Sequence, residues 1–439
     1  MILILGMGKT GLSVAKFLHN KNKKFIVADS RHNPPFLKDF KQKFASNKYF
    51  LGSWKKTILD NIDLIIISPG ISHNESIVIL ARQKNIPIIG DVGLFFKYVK
   101  KPVIGITGTN GKSTVTALVA DIAKGQGLKT KVGGNIGTPC LELLKGEADI
   151  YILELSSYQL DTAKNLKLEL AVVLNISPDH MDRYPDYQTY IKSKLSIYKN
   201  CNKAVINLDE PLVKNINKDN YYFGFSIANN SKDFGTVVCH NMRYLIKGDK
   251  PLMEVSKLKI IGEHNIKNAL AALCIGSALK FDMDKMLKTL QNFKGLKHRL
   301  QYLGKKNDID FYNDSKSTTV ISTITALKAV SQKTNNIILI AGGRDKGEDY
   351  KQLADNIKKY TKAVILIGET AHNIGVRLKD FNTYYALTME DAITQAIKNA
   401  KANYAILLSP ACASFDMYED FNVRGDDFIK KAGFSIKLH

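Results

Sequence analysis

The 439-residue sequence predicts an α/β protein built from three successive domains. Apolar runs of strand length alternate with amphipathic stretches along the whole chain. That alternation restarts three times, and each restart sets Gly-rich or polar turns directly after strands, where open parallel sheets hold their ligands.

The first segment opens with a strand, Ile2–Leu5, then the turn Gly6-Met7-Gly8-Lys9-Thr10-Gly11 and an amphipathic helix carrying Leu12, Val14, Ala15, Phe17 and Leu18. Strands Phe25–Ala28, ending at Asp29, and Leu64–Ile67, ending at Ser68-Pro69-Gly70, complete a βαβ order. The Gly-x-Gly-x-x-Gly spacing has two readings. One is a dinucleotide fold with Asp29 on a ribose; the other is a helix-entry turn with no ligand.

The second segment begins near Pro102. An apolar run, Val103 to Ile106, reads as a buried strand, and Gly108-Thr109-Asn110-Gly111-Lys112-Ser113-Thr114 then opens a helix near Ser113. Backbone N–H groups of such a turn, with a helix N-terminus, form a concave anion site for a triphosphate. Lys112 would reach the β/γ phosphates, and the Ser113 or Thr114 hydroxyl would ligate Mg²⁺. The strict P-loop spacing asks for Gly at position 106, where this chain has Ile. Strands Tyr151–Leu155, Leu170–Leu174 and Ala204–Asn207 follow, and residues 221–261 alternate apolar and polar residues as antiparallel strands would.

The third segment starts near His298, with strands Ile337–Ile340, Ala363–Ile367 and Ala405–Leu408 ending at Gly342-Gly343, Gly368 and Ser409-Pro410. The joints fall near residues 95 and 297, giving domains 1–94, 95–297 and 298–439.

Composition narrows the function. Apolar content of 45% with 24% charged residues is ordinary for a globular protein, and no apolar run approaches a membrane span. The N-terminus passes straight into Ile2-Leu3-Ile4-Leu5, leaving no room for a signal peptide. Five scattered cysteines without CxxC spacing read as reduced cytosolic thiols. A net charge of +22 invites nucleic acid, but the lysines are dispersed and no recognition motif accompanies them.

Polar clusters sit at strand ends. In Glu154-Leu155-Ser156-Ser157-Tyr158-Gln159, Glu154 could hold Mg²⁺ directly or through water; alternatively Ser156 or Ser157 caps a helix and Glu154 is solvated. Asn175-Ile176-Ser177-Pro178-Asp179-His180-Met181-Asp182-Arg183 places His180 between two carboxylates, where it could ligate a metal or take up a proton. Lys194 lies on a helix predicted over 187–198 and reads as an exposed lysine, no different from Lys192 or Lys199. Gly262-Glu263-His264-Asn265-Ile266-Lys267-Asn268 precedes a helix predicted over 269–278; Asn265 could cap it, or Asn265 and Asn268 could read a nucleotide base. His298-Arg299 and Asn313-Asp314-Ser315-Lys316-Ser317-Thr318 flank the second joint, where charges bridge a ligand or hold domains apart. Gly342-Gly343-Arg344-Asp345-Lys346 and Ser409-Pro410-Ala411-Cys412-Ala413-Ser414 suit a small anionic substrate.

Taken in this order, the clusters resemble the Mur ligases, ATP-dependent amide ligases of peptidoglycan precursor synthesis, in their D-glutamate-adding (MurD) type. The resemblance runs from residue 2 to beyond Arg424. It implies a Rossmann-like N-terminal domain for a UDP substrate, a central P-loop ATPase-like parallel sheet, and a Rossmann-like C-terminal domain for an amino acid. It redirects the first Gly-rich turn: Thr10, Gly11, Ser30, Arg31 and Gly70 would hold UDP, and Asn135, Ser156, Gln159 and His180 the muramoyl-alanine arm of UDP-N-acetylmuramoyl-L-alanine. Gly108 to Thr114, Asn268, Arg299 and Asp314 would contact ATP. Ser113, Thr114, Glu154 and His180 would serve two Mg²⁺ ions, and Lys194 matches the family's carbamylated lysine. Lys316, Thr318, Lys346, Ser414 and Phe421 would hold D-glutamate. Thr319 stands where the family often has Asn, and Arg344-Asp345 makes its loop more charged than usual. The implied protein is a cytoplasmic monomer that activates the alanine carboxylate as an acyl phosphate, closes its domains around the substrates, and binds no nucleic acid. Rival readings are a sibling ligase, a folylpolyglutamate synthase, a nicotinamide-dependent oxidoreductase and a nucleic-acid-dependent ATPase.

Overall fold

A computed structural model describes residues 1–179, 181–214, 216, 222–227 and 233–435. Three β-sheets follow one another along the chain. Residues 1–255 and 267–290 form one compact unit, and residues 256–266 and 291–439 a second.

The first sheet contains β1 (Ile2–Leu5), β2 (Phe25–Asp29), β3 (Tyr49–Leu51), β4 (Leu64–Ile67) and β5 (Ile88–Gly90), all parallel, in the order β3-β2-β1-β4-β5. The order reverses between β1 and β4, which opens a crevice at their C-terminal ends. The turns that the sequence singled out, 6–11 and 68–70, both lie there. Residues β3 and β5 contribute are three per strand, too few for a periodic signal. Helix Lys9–Asn20 turns Leu12, Val14, Ala15 and Leu18 inward, as its spacing requires.

The second sheet comprises β6 (Val103–Thr107), β7 (Thr130–Gly134), β8 (Ile150–Glu154), β9 (Leu168–Val173), β10 (Cys201–Asn207), β11 (Tyr222–Phe225), β12 (Phe234–Cys239), β13 (Met242–Lys247) and β14 (Lys250–Glu254). Its order is β14-β13-β12-β11-β10-β9-β6-β8-β7. Strand β6 is buried along its length, which explains its unbroken apolar character. It runs parallel to β8 on one side and β9 on the other, with Ile106 opposite Glu154 and Thr107 opposite Val173. The turn after β6 is thereby flanked by the ends of both neighbours. Strands β12 to β14 pair antiparallel, as the alternation over 221–261 predicts, but β11 in the same stretch runs parallel to both β10 and β12. One apolar core joins Ile4, Val27 and Ile66 of the first sheet to Tyr151, Leu153 and Val173 of the second.

The third sheet holds β15 (Gln301–Lys306), β16 (Ile309–Asn313), β17 (Ile337–Ala341), β18 (Thr361–Ile367), β19 (Thr383–Ala386) and β20 (Ala405–Leu408), in the order β15-β16-β20-β17-β18-β19. Only β15 is antiparallel to its neighbour. Its faces are covered by separate cores, Leu339, Val364 and Leu407 on one side and Ile338, Ile365 and Ile406 on the other. Here the order reverses between β17 and β20, so the turns at 342–346 and 409–414 meet at a second crevice. A bridge pairs Arg344 with Ala413.

Candidate active site

Helix Lys112–Gly125 starts one residue before its predicted position, with Gly111 as N-cap at φ +83. A Cβ at position 111 would lie 2.6 Å from the Asn268 Oδ1, so glycine lets the loop and helix Glu263–Ala278 approach each other. The loop is braced from β9. Asn175 accepts the Asn110 N–H on its Oδ1 at 2.8 Å and donates its Nδ2 to the Asn110 carbonyl at 2.9 Å. Its own carbonyl accepts the Thr109 N–H at 2.9 Å. The Thr109 hydroxyl meets the Ser177 backbone and the Tyr190 hydroxyl, the latter at 3.1 Å.

Two ammonium groups converge beneath this loop. The Lys112 Nζ donates to the Gly108 and Thr109 carbonyls, each at 2.9 Å, and the Lys194 Nζ donates to the same Gly108 carbonyl at 2.9 Å. Lys194 is buried at 2% exposure, with its Nζ 4.8 Å from the Tyr190 ring centre, whereas Lys192 and Lys199 are exposed. This corrects the reading of Lys194 as an exposed lysine. Burial and the neighbouring Lys112 charge pull its ammonium down to about 7. Periodicity places residue 194 on a helix but cannot show that the helix presses that face against the phosphate loop.

Glu154 is likewise buried rather than solvated. Its Oε1 accepts Asn135 Nδ2 at 2.8 Å, while its Oε2 is buried without a hydrogen-bond partner. An orphaned carboxylate oxygen, close in register to a loop carrying Ser113 and Thr114 hydroxyls, is the hard oxygen set that suits Mg²⁺. Among the described residues no group of three or more His, Cys, Asp or Glu forms a metal cluster. His180 lies outside the described residues. Ser156 caps helix Ser157–Asp161 in a reciprocal box with Gln159, so the capping reading holds for Ser156.

At the first crevice, Asp29 does not present a free carboxylate to a ribose. Its two oxygens accept from the Met7 amide at 2.7 Å, the Arg31 amide at 2.9 Å, and the Arg31 guanidinium at 2.9 and 2.7 Å. Burial opposes ionisation, yet these bonds hold the carboxyl below the usual carboxylate range. Asp29 therefore fixes Arg31 beside the turn. Thr10 and Gly11 begin the following helix, and a Cβ at 11 would fall 1.8 Å from the Gly6 carbonyl oxygen. Ser30 and Gly70 are exposed at the ends of β2 and β4. Two residues that the sequence reading left without a role link this crevice to the central loops. Lys9 donates to the Gly137 carbonyl at 2.6 Å, two residues beyond Asn135, and Arg183 donates to the Gly70 carbonyl at 3.0 Å. Their only sequence signal was proximity to a Gly-rich turn and to the 175–184 cluster.

Helix Glu263–Ala278 begins before its predicted start, so Asn265 lies in its first turn and donates to the Ile261 carbonyl instead of capping. Asn268 is buried beside Gly111.

In the second compact unit, Asp314 is buried and accepts from the Leu300 amide and the Ser409 hydroxyl, both at 2.9 Å. Burial pushes its carboxyl up to about 6. Arg299 lies between His298 and Leu300, both at positive φ. The Lys346 Nζ donates to the Thr318 carbonyl at 3.1 Å, and the Lys316 Nζ sits 4.1 Å from the Phe421 ring centre, so four of the five residues assigned to the amino acid meet in pairs. Ser414 is buried on the loop after β20. Both departures from the family pattern have local causes. Thr319 is the N-cap of helix Val320–Ser331, and Arg344 pairs with Glu369 while Asp345 accepts from Gly347 and Tyr350.

Three family models match the chain in sequence: a Mur ligase MurD-like N-terminal domain over residues 1–90, a Mur ligase middle domain over 106–276, and a Mur ligase glutamate ligase domain over 298–412. A UDP-N-acetylmuramoylalanine–D-glutamate ligase of Coxiella burnetii is 42% identical over 433 residues, 98% of this chain and 97% of the relative. One of the same name from Marinobacter nauticus is 39% identical over 97% of this chain and 96% of its own. Among solved structures, a UDP-N-acetylmuramate-alanine ligase of Thermotoga maritima aligns over 98% of both chains with a TM-score of 0.64 at 18% identity, a likeness of fold. A pseudomurein peptide ligase type C of Methanothermus fervidus gives 0.58 at 23% identity, over 98% of this chain and 99% of that one.

Proposed function

The chain belongs to the Mur ligase family, and on that premise we propose that it is an ATP-dependent ligase joining D-glutamate to UDP-N-acetylmuramoyl-L-alanine. The observation that carries this reading is the phosphate loop at the end of buried β6, with the unpartnered Glu154 oxygen at the end of adjacent β8.

A carboxylate is a poor electrophile because attack on it must expel an oxide. An alanine carboxylate oxygen therefore attacks the γ-phosphorus of ATP, the bond to ADP breaks, and an acyl phosphate forms. Lys112, the loop amides and Arg299 neutralise charge on the phosphoryl oxygens, with Asn268 and Asp314 positioning the nucleotide. The D-glutamate nitrogen then attacks the carbonyl carbon, phosphate leaves, and the excess proton passes to His180 or a nearby carboxylate. Ser113, Thr114 and Glu154 would hold one Mg²⁺, and His180 with carbamylated Lys194 a second, supplying positive charge to the phosphate oxygens. Lys194 suits that modification: an ammonium near 7 is partly neutral at physiological pH. Its nitrogen then bonds to the carbon of CO₂, one C=O pair becomes the carboxylate, and a proton leaves to solvent.

Thr10, Gly11, Ser30, Arg31 and Gly70 take the UDP portion, and Asn135, Ser156 and Gln159 the muramoyl-alanine arm. Lys316, Thr318, Lys346, Ser414 and Phe421 take D-glutamate. The domain joints near 95 and 297 belong to the same reading. A panel of amino acids offered with ATP, Mg²⁺ and UDP-N-acetylmuramoyl-L-alanine tests it. D-glutamate alone should support ADP release, and equal turnover with L-alanine or a diamino acid would overturn the assignment.

A further inference from the structure

Three of the four stretches of chain assigned to D-glutamate are 313–318 after β16, 409–416 after β20, and the start of helix Phe421–Lys431, the fourth being the loop after β17 that carries Lys346. One side chain touches all three. Arg424 lies one turn into that helix and is 3% exposed. Its Nε donates to the Ser315 Oγ at 3.1 Å, one terminal nitrogen to the Ala413 carbonyl at 3.2 Å, and the other to the Ser315 and Cys412 carbonyls at 2.9 and 3.1 Å. The Ser315 hydroxyl in turn donates to the Phe421 carbonyl at 2.8 Å. Every one of these partners is a residue assigned to D-glutamate or a near neighbour of one: Lys316, Ser414 and Phe421.

The partners are all neutral. Among the described residues no carboxylate lies within ion-pair distance of Arg424, so its direct partners are carbonyl and hydroxyl dipoles, and the Asp416 carboxylate opposes its charge only from beyond that distance. Such a charge is costly to keep, because desolvation is repaid in part only. Burial draws its guanidinium down to about 10, which leaves it charged at neutral pH.

We infer that Arg424 is the positioning residue of the amino-acid site: its planar fork sets the spacing of the three loops, and its buried charge, without a directly paired carboxylate, favours a substrate carrying two carboxylates over one carrying fewer. This rests on the D-glutamate reading above. The geometry suits arginine specifically. A lysine ammonium keeps the charge but cannot reach carbonyls on two loops and a hydroxyl in one plane, and a glutamine keeps some hydrogen bonding without charge.

The test compares Arg424→Gln and Arg424→Lys with the parent enzyme in steady-state kinetics, varying each substrate in turn. Loss of charge-assisted bonds of this kind should raise the KM for D-glutamate by about tenfold or more in Arg424→Gln, and less in Arg424→Lys. The KM values for ATP and UDP-N-acetylmuramoyl-L-alanine should stay within about twofold. A merely structural role would lower kcat and move all three KM values together, and that result overturns the inference, as does an unchanged KM for D-glutamate. If Arg424→Gln does not fold, Ser315→Ala carries the same comparison, since it removes both the Nε contact and the tie to Phe421. The parent enzyme separates the two claims. Parent turnover that does not need D-glutamate refutes the D-glutamate reading itself, whereas a D-glutamate-dependent parent with insensitive variants refutes only the role of Arg424.

Discussion

On the proposed reading, the phosphate loop and the amino-acid loops solve the same problem, holding an anion, in opposite ways. At the phosphate loop the chain supplies its grip from one contiguous stretch, residues 108–114, and the Asn175 side-chain amide braces it by pairing with the Asn110 backbone. Positive charge is crowded there, with Lys112 and Lys194 sharing the Gly108 carbonyl. At the amino-acid loops the grip is dispersed over more than a hundred residues of sequence and gathered around the single buried Arg424. A contiguous grip is a backbone device and tolerates variation around it. A gathered one depends on side chains that look unremarkable in sequence.

Lys112→Ala should break the first region most severely, cutting turnover by orders of magnitude through loss of charge on the transferred phosphoryl group. UDP-substrate binding, measured calorimetrically, should survive; retained turnover would remove Lys112 from the chemistry. Lys194 tests the crowding itself. Its ammonium is lowered from 10.5 to about 7, so the folded state binds this proton more weakly than the unfolded chain. Its contribution to stability is thus fullest above 10.5 and is lost as pH falls towards 7. The neutral amine that CO₂ needs accordingly grows above about 7. Activity of protein stripped of CO₂ should recover on adding bicarbonate at pH 8 and recover less at pH 6, and Lys194→Arg should not respond. Equal recovery at both pH values would contradict this.

A smaller effect sharpens the contrast between the regions. Asn175→Ala removes the brace on Asn110 and should raise the KM for ATP by about tenfold while leaving that for D-glutamate unchanged. An equal rise in both would show that the regions are not separable in this way. A further effect is on stability. Asp314 is raised from 3.8 to about 6 by burial, so the folded state binds its proton more tightly than the unfolded chain. Stability from this group is full below about 3.8 and declines as pH rises to about 6, by up to about 3 kcal/mol. Asp314→Asn should flatten that decline in denaturant titrations between pH 4 and 6; an unaltered slope would assign the titration to another group.

The same contrast explains what was legible in the sequence. Buried strands such as β6 and β17 announce themselves as unbroken apolar runs, and the turns after them carry glycine for reasons local to the turn. Alternation of elements implies parallel sheets, but the strand orders that open the two crevices emerge only in the folded chain. Lys194 was indistinguishable from Lys192 and Lys199, because what separates them is the packing of a helix against a loop over eighty residues away. A ribose role for Asp29 stayed open as one of two readings because its partner Arg31, two residues on, has no signature of its own. Arg424 was visible only as one more basic residue near the end of the chain. Asn265 was misplaced because a helix start moved by six residues, the error to which pattern reading is most prone.

The most direct measurement follows the nucleotide substrate by mass spectrometry while ADP is counted in the same reaction. With ATP, Mg²⁺, UDP-N-acetylmuramoyl-L-alanine and D-glutamate together, each ADP formed should be matched by one UDP-linked product heavier by a single glutamyl residue, and omission of any component should abolish both. ADP formed without that product, or product formed without ATP, would contradict the account.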